Sequence, residues 1–490
     1  MRLLFKILIR VLFVGIVLSL AVGVFSMYRS LPTGVHFEGP ARSVPANAVT
    51  FLRDVTYQDS AGIRRTDQQI FNEVMKMVEG AKRTIVLDMF LYNPYQGAAP
   101  ETTRALSEEL TAKLLEKKKA IPDIEIVVLT DPINETYGGD QSDQFERLRK
   151  AGIVVGTTDL TKLRDSNPLY SGAWRTFLQW FGNSTTGGSL PHPFQSGGKK
   201  VTVRTWLALL NFKANHRKVI VADETNGTSV NVATLIISAN PHDGSSAHGN
   251  IAVKVSGSLY QDVILSEQAV AKFSRIELPT LSTAYASPAR EGTDAEVILL
   301  TEGAIKERLV TSLKKLTGED SVDMAMFYLS ERDVVRELIA AAKRGIKVRL
   351  ILDPNKDAFG HKKNGVPNRP VAEEIVAASR GNAEVRWCDT HGEQCHAKLT
   401  LMRSTTGYEM IAGSANLTRR NINNYNLEMN VSVKSAEKIK AIADAYEYFE
   451  TLWQNKGGNI YTADYAVYRD DAMYKELMYR VMEFTGLSSF

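Results

Sequence analysis

Apolar positions recur along the chain in two alternating periods. Short β-branched runs at 48–52, 84–90, 124–129 and 153–156 read as strands in the first half, and runs at 296–300, 321–327 and 346–352 do so in the second. Amphipathic helical stretches fall between them, at 67–79 and 102–119, then at 305–315 and 332–343. Each half carries a central strand closed by Asp-Pro, Asp131-Pro132 and Asp353-Pro354, and each ends in a helix, 260–273 and 436–453. This order, met twice, is a weak internal repeat. It predicts an α/β protein: two similar α/β/α sandwich lobes with mixed sheets, related by a pseudo-two-fold axis.

The expected boundaries are an anchor at 1–30, a connector at 31–47, and a first lobe at 48–276 with an insertion at 159–212. A linker at 277–294 with Pro279, Pro288 and Gly292, a second lobe at 295–454 and a helical extension at 455–490 follow. The insertion holds Trp174, Phe177, Trp180, Phe181 and Trp206. Its aromatics fit either a membrane-resting, acyl-chain-lining surface or a satellite core under a long loop. The last segment spaces Met473, Tyr474, Leu477, Met478, Val481 and Met482 along a helix, as a face docking on the domain or, less simply, on lipid.

Residues 11–27 carry no charge and follow Ile7-Leu8-Ile9-Arg10. About twenty apolar residues cross a bilayer core, a length reached here if Arg10 snorkels to the interface. Arg2, Lys6 and Arg10 precede the stretch while only Arg29 and Arg42 follow it closely, which places the N-terminus in the cytoplasm and the rest outside. A cleaved signal peptide is the competing reading, but Val24-Phe25-Ser26 makes a poor cleavage site and the stretch exceeds a usual signal core. The expectation is a single-pass membrane protein, in contact with the bilayer through residues 7–28, whose body is extracytoplasmic: periplasmic or extracellular in a bacterium.

Composition narrows the classes further. The 490 residues, at about 150 per domain, make roughly three domains or two large ones. With 44% hydrophobic and 23% charged residues the chain is an ordinary globular one, neither disordered nor multi-spanning. Lys+Arg number 59 against 55 Asp+Glu, a net +4, too little for a protein that mainly coats nucleic acid, though a local basic channel is compatible with it. Two cysteines rule out a disulfide scaffold or a four-cysteine zinc site.

The candidate chemistry is duplicated. The first half has His216-Arg217-Lys218, an apolar run, Asp223, then a second strand into Ser238-Ala239-Asn240. The second half has His396-Ala397-Lys398, an apolar run, then Ser414-Ala415-Asn416. In a strand, residues two apart share a face, so each H-x-K sets an imidazole beside an ammonium, and the Asn arrives from the neighbouring strand's end. Packed face to face, the halves would bring two His, two Lys and two Asn to one phosphodiester. Lys218, Lys398, Asn240 and Asn416, with Ser238 and Ser414 beside them, would hold the non-bridging oxygens. One imidazole would attack phosphorus and the other would handle the leaving and entering protons. No clustered carboxylates have metal spacing, so neither a metal nor another cofactor is expected. A lone H-x-K is weak, about half an occurrence by chance. Indeed His361-Lys362-Lys363 is a third copy, read as a solvated loop because no strand and Ser-x-Asn follow it.

These segments resemble the paired H-x-K-x(4)-D motifs of the phospholipase D superfamily, across 48–453. The resemblance implies a bilobal fold with one site between the halves, metal-independent phosphodiester cleavage or phosphatidyl transfer, and His216 as nucleophile with His396 as general acid/base. It carries over Lys218, Asp223 and Asn240 from the first motif and Lys398 and Asn416 from the second. The leading expectation is an anchored enzyme acting on phospholipid head groups, a hydrolase or a transferase like the cardiolipin synthases it resembles, active as a monomer. The alternative is a nuclease of the same superfamily, with Lys117-Lys118-Lys119 and Lys199-Lys200 tracking a backbone. A non-catalytic envelope protein is the third reading.

Two departures from the pattern stand out. Arg403 occupies the second motif's Asp position, for which structural rewiring is expected. The acid that follows each Asn in relatives is Glu428 in half two but Asn250 in half one. Glu428 is expected to pair with His216 and Asn250 with His396, unless both are plain strand residues. Cys388 and Cys395 bracket the approach to His396 and fit a disulfide, free thiols, or a ligand-poor metal pair with His391.

Overall fold

A computed structural model describes residues 1–98, 103–226, 229–278, 294–358 and 361–488, so most of the 277–294 linker lies outside the described residues. The long apolar helix α1 (Arg2–Tyr28) comes first, then β1 (Arg42–Val44). The first lobe runs β2 (Val49–Gln58), β3 (Arg64–Gln68), α2 (Ile70–Gly80), β4 (Thr84–Met89), α3 (Leu106–Ala120), β5 (Glu125–Thr130), α4 (Asp143–Lys150) and β6 (Val154–Thr157). The insertion contributes α5 (Pro168–Ala173) and α6 (Val203–Leu209), and the lobe closes with β7 (Lys218–Asn226), β8 (Ser229–Ile237), β9 (Asn250–Ser256) and α7 (Leu259–Ser274).

The second lobe runs β10 (Ala295–Thr301), α8 (Gly303–Lys315), β11 (Ser321–Met326), α9 (Arg332–Lys343), β12 (Lys347–Leu352) and the small hairpin β13 (Asp357–Ala358) and β14 (His361–Lys362). Then come α10 (Asn368–Ala378), β15 (Ala383–Cys388), β16 (Lys398–Ser404), β17 (Gly407–Gly413), α11 (Arg419–Ile422), β18 (Met429–Ser435) and α12 (Lys440–Gln454). The extension adds β19 (Thr462–Asp464), α13 (Tyr465–Tyr468) and α14 (Met473–Thr485).

The repeat seen in the sequence is a repeat of topology. One sheet has the order β3-β2-β9-β8-β7-β4-β5-β6, the other β1-β10-β18-β17-β16-β11-β12-β15-β19. Without the edge strands β3, β1 and β19, the two orders are the same seven-strand path. Both sheets are mixed: β4–β5–β6 and β11–β12–β15 pair in parallel and the rest antiparallel. The α/β two-lobe expectation thus holds.

Burial explains the strand and helix patterns. β4 is buried on both faces and is apolar from Ile85 to Leu87, its one charge, Asp88, being buried and accepting from Asn215 Nδ2 at 2.8 Å. α2 buries Ile70, Phe71, Val74, Met77 and Val78, and α9 buries Val334, Val335, Leu338, Ala341 and Ala342, the same one-sided spacing on each sheet's outer face. The inner faces share one apolar cluster, in which Phe51, Val219 and Val253 of one lobe join Val297, Leu399 and Val431 of the other. This fused core fixes the lobes' relative placement, and with it the site.

Several elements differ from expectation. β3 was hidden in the sequence because Arg64–Gln68 has no apolar alternation; it exists through pairing with β2. The connector and the extension are parts of the second sheet, through β1 on β10 and β19 on β15. In α14, Met478 and Met482 pack on the second-lobe core beside buried Tyr479, while Met473, Tyr474, Leu477 and Val481 stay exposed. The insertion's aromatics form no satellite core: Trp180 is 74% exposed and Phe181 66%.

Arg403 rewires its turn by reversing the polarity of one contact. In the first lobe Asp223 accepts the backbone N–H groups of Lys82, Arg83 and Thr84, at 3.0, 2.9 and 2.8 Å, where the chain enters β4. At the same place in the second lobe Arg403 Nη2 donates to the Glu319 carbonyl at 3.3 Å, and the acid has moved onto the turn as Asp320, which accepts from Thr405 N at 3.1 Å. Asp223→Ala is expected to cost about 2 kcal/mol, because the buried N–H of Thr84 and the part-buried N–H groups of Lys82 and Arg83 lose their acceptor. Urea unfolding would show the loss, with kcat on any substrate within about two-fold of the parent.

Candidate active site

The two H-x-K segments enter β7 and β16, one in each sheet, and both strands send residues, Val219 and Leu399, into the fused core. Backbone bonds cross between the lobes at both: His216 N donates to Leu427 O at 2.9 Å and His396 N to Gly249 O at 2.7 Å. The reciprocity continues in the side chains. His216 Nδ1 meets the Glu428 carboxylate, 2.8 Å to Oε1 and 3.0 Å to Oε2, and His396 Nδ1 meets Asn250 Oδ1 at 3.0 Å. Each imidazole is thereby held from the opposite lobe. With Nδ1–H donated to an acceptor, each Nε2 is left as the atom available to the cavity.

The acceptors are themselves oriented. Glu428 also accepts from Ser414 Oγ at 2.5 Å and from Asn421 Nδ2. Asn250 Oδ1 accepts from Ser238 Oγ at 2.9 Å, while its Nδ2 donates to His248 O at 3.1 Å. Ser238 and Ser414 therefore support these acceptors and do not line the cavity.

Around the imidazoles the lobes repeat one another. Phe90 and Phe327 lie against His216 and His396 with ring centroids 4.7 and 4.9 Å apart. Lys218 Nζ sits 5.0 Å from the Phe90 ring and Lys398 Nζ 5.1 Å from the Phe327 ring. Each ammonium donates to its own histidine's carbonyl at 2.7 Å. Asp131 and Asp353, of the two Asp-Pro corners, accept the backbone N–H of Asn215 and Cys395, at 2.7 and 2.9 Å, and so set each histidine's entry into its strand. Asn240 Oδ1 accepts from Leu91 N at 3.2 Å, whereas Asn416 Oδ1 is buried with no partner among the described residues.

A cavity of about 610 Å³ brings His216, His396, Asn240 and Asn416 together. Lys218 and Lys398 are fully buried and do not line it, but each lies against a ring of its wall, Phe90 and Phe327. Asp223 is not part of it. Five residues along β7 from Lys218, roughly 17 Å at strand rise, it anchors the turn before β4 and acts on the site only through the fold.

Sequence reasoning missed several wall residues. His192, His242 and His248 line the same cavity, so five of the chain's eight histidines meet there. Lys363, of the third H-x-K copy, is not a solvated-loop residue: hairpin β13–β14 turns it inward, and Nζ donates to the Tyr328 hydroxyl at 2.8 Å. Behind His216, Arg217 is fully buried and pairs with Glu267 at 3.1 Å and with Glu302 of the other lobe at 2.7 Å. Glu302 also accepts Glu428 N at 3.1 Å, joining this cross-lobe pair to the site. No local spacing marks such partners; Phe90 and Phe327, each one residue past the end of its strand, β4 and β11, were the wall residues that the sequence repeat could have paired.

The cluster is electropositive and buried. Burial pulls His216 down to about 4, against the opposing pull of Glu428 and with a further push from Lys218. His396 is held well below its ordinary value, by burial first and then by Lys398, His248, Lys218 and His216. Burial brings Lys218 down to about 7 and holds Lys398 well below the usual range, with Lys218 adding repulsion. Burial pushes Glu428 up, but the His216 ring and Lys218 outweigh it and the carboxyl stays below its ordinary range. Burial raises Asp131 to about 7 and Asp353 to about 6. These shifts leave two neutral imidazoles over two reluctant ammonium groups, an arrangement that an anion would stabilise.

Cys388 and Cys395 form a disulfide that closes the loop before His396. His391 turns away to Asp389, 2.9 Å from its carboxylate, and no group of potential metal ligands occurs among the described residues.

Comparison with known proteins agrees with this architecture. Residues 312–453 match the family described as cardiolipin synthase, PLD-like domain. No curated protein matches the sequence. In fold the chain is similar to the phosphatidylserine synthase of Haemophilus influenzae Rd KW20, with a TM-score of 0.55 at 10% identity, over 91% of this chain and 94% of that one. It also aligns with Nuc from Salmonella typhimurium, described as a phospholipase D family member, with a TM-score of 0.26 at 18% identity over 35% of this chain and 98% of that one. The second lobe thus matches a PLD-like family model, and the whole chain shares its fold with that phosphatidylserine synthase.

Proposed function

We propose that the protein is a phosphodiester-transferring enzyme that acts on phospholipid head groups at a membrane to which α1 anchors it, working as a single chain. The observation that carries this reading is the reciprocal pair of imidazoles, each presented to one cavity by a partner from the opposite lobe.

The residues divide the reaction into two displacements. As the phosphodiester anion binds, His396 takes up a proton from solvent at Nε2; the His216 Nε2 lone pair then attacks phosphorus, the bond to the head-group oxygen breaks, and His396 passes that proton to the departing alkoxide. A phosphatidyl-His216 adduct remains, its cationic ring facing Glu428. Water or an alcohol then loses its proton to His396 and attacks phosphorus, and the P–N bond returns its electrons to His216. Lys218, Lys398, Asn240 and Asn416 stabilise the non-bridging oxygens while charge builds. Whether water or an alcohol completes the cycle separates a hydrolase from a transferase.

Two observations favour lipid over nucleic acid. The cavity wall is amphipathic, since Ile133, Phe194, Leu209 and Phe212 face the polar end at His216 and His396. The basic run 117–119 is no open track: Lys117 Nζ caps the Ala81 carbonyl at 3.0 Å and Lys118 Nζ the Ile124 carbonyl at 2.8 Å. The test is incubation of the full chain with mixed phospholipid vesicles and with single-stranded DNA, reading products by mass, with His216→Ala as control. Head-group release or exchange, with the DNA intact, is expected. DNA cleavage without lipid turnover would overturn the proposal.

The depressed lysine gives a pH signature. Lys218 is charged below about pH 7 in the free enzyme and loses its proton as the pH rises through that value. Attraction for the phosphodiester is then lost on the alkaline side, so kcat/KM should fall above about pH 7. A bound anion raises the lysine, so the alkaline limb of kcat should lie at higher pH. Coincident limbs, or a flat kcat/KM between pH 6 and 9, would remove Lys218 from this role.

A further inference from the structure

α1 does not stand apart from the body. Gly15, Ser19, Gly23 and Ser26 form a stripe of small residues along one side of the helix, and the last three are buried. α5 packs along that stripe in the opposite direction. A β-carbon on Gly23 would collide with the Pro168 carbonyl, and one on Gly172 with the Ser19 carbonyl, so the two backbones touch. Such close approach through small residues is the manner in which helices associate in lipid. Beyond α5 the chain continues through a wide π-type turn, Trp174–Leu178, and Phe177 Cζ lies 3.2 Å from where a Gly15 β-carbon would sit.

The depth of that contact is the key quantity. From Met27 to Gly15 is about 18 Å of helix, and one hydrocarbon leaflet is about 15 Å thick. A helix that crosses the bilayer over residues 7–28 therefore carries Phe177 as far as, and slightly past, the bilayer midplane. The segment 168–182 is built for that place. Leu169, Phe177, Trp180 and Phe181 point outward, exposed by 58%, 50%, 74% and 66%. Several of its polar atoms are bonded within the segment: Trp180 Nε1 donates to Thr176 O at 3.2 Å and Thr176 Oγ1 to Gly172 O at 2.7 Å. Its one charge, Arg175, folds back to Asp165 at 2.5 Å and to the carbonyls of Thr161 and Leu163 at 3.1 Å.

Neighbouring elements complete an apolar side. Arg419 ties the end of α1 to the foot of the insertion, reaching Met27 Sδ at 3.7 Å and Ser166 O at 3.3 Å. α14 ends at the same foot, where Gly486 abuts Ser166. Behind the segment runs a mainly apolar groove of about 370 Å³, bordered by Trp174, Phe181, Leu160 and Ala208. Tyr137 and Lys213 border both this groove and the catalytic cavity, so the two adjoin.

We infer that segment 168–182 is a second membrane element, sunk beside α1 into the acyl chains of the leaflet on the catalytic side, and that the groove behind it receives an acyl chain of a phospholipid entering sideways. The inference rests on the proposed span of α1 and, for the identity of the entering molecule, on the phospholipid reading.

Its test uses the full chain in phosphatidylcholine/phosphatidylglycerol vesicles. Trp180 is isolated as the fluorescence difference between the parent and Trp180→Phe. Quenching of that difference by lipid brominated at mid-chain, with little effect of aqueous acrylamide, is expected. Quenching by acrylamide alone would overturn the inference. So would shielding from both quenchers, which would indicate contact with a second copy, or release of the chain by alkaline carbonate, which would show that α1 is no span. Trp180→Glu should raise KM for long-chain vesicle lipid at least five-fold and leave kcat/KM on a short-chain, monomeric lipid within two-fold; an equal loss on both would overturn sideways entry. If bromolipid quenches but no lipid is turned over, the membrane element stands and the phospholipid reading falls, so the two failures are distinguishable.

Discussion

His216→Ala is expected to lower turnover of phospholipid at least about 10³-fold, because it removes the atom that would bond to phosphorus. His396→Ala should behave differently, and the difference is the diagnostic. Without a proton donor the natural alkoxide leaves slowly, so turnover also falls by orders of magnitude. On a phosphodiester with a good leaving group, such as p-nitrophenol, no proton is needed for the first displacement. The adduct on His216 then forms and accumulates, because no base activates the acceptor in the second. Rapid quenching followed by peptide mapping should find an acid-labile phosphoryl group on the peptide containing His216 in His396→Ala, and none in His216→Ala. Residual turnover in His216→Ala near the parent level, or an adduct mapped to His396, would reverse the assignment.

The second large effect concerns the unequal partners. Glu428→Gln is expected to slow adduct formation by about 10²-fold or more, with Asn250→Asp changing turnover by less than about ten-fold. Glu428 is buried and lies below the ordinary carboxylate range, so its charge persists next to the ring that becomes cationic in the adduct. Its removal also deprives Lys218 of the largest influence holding its proton on. The alkaline limb of kcat/KM should therefore move below pH 7 in Glu428→Gln. Asn250 supplies no charge, and His396 beside it gives up a proton readily. Urea unfolding of both variants separates a catalytic loss from a folding loss, and equal kinetic effects at matched stability would remove the asymmetry from the mechanism.

Much of the site was readable because its signals are local. H-x-K works through the two-residue period of a strand, and that period survives in any context that keeps residues 216–222 and 396–402 extended. The pairing of Glu428 with His216 could be anticipated only by aligning the two repeats, since 212 positions separate the residues in the chain. Arg403 was equally visible as an anomaly, but its meaning was not: the compensating Asp320 sits on a different turn, which only the sheet register brings close.

By itself the sequence determined the elements: which runs are strands, which stripes are helix faces, that the pattern repeats, that one apolar helix precedes it, and which residue types carry the chemistry. Periodicity and side-chain chemistry suffice for these because they act within a few residues. Tertiary structure decided the rest. It placed β1 and β19 in the second sheet, set Glu302 of one lobe on Arg217 of the other, turned Lys363 into the cavity, gathered His192, His242 and His248 there, and laid the insertion along α1. Each of these depends on contacts between distant segments, and it is the burial of a single apolar cluster shared by both lobes that selects which distant segments meet.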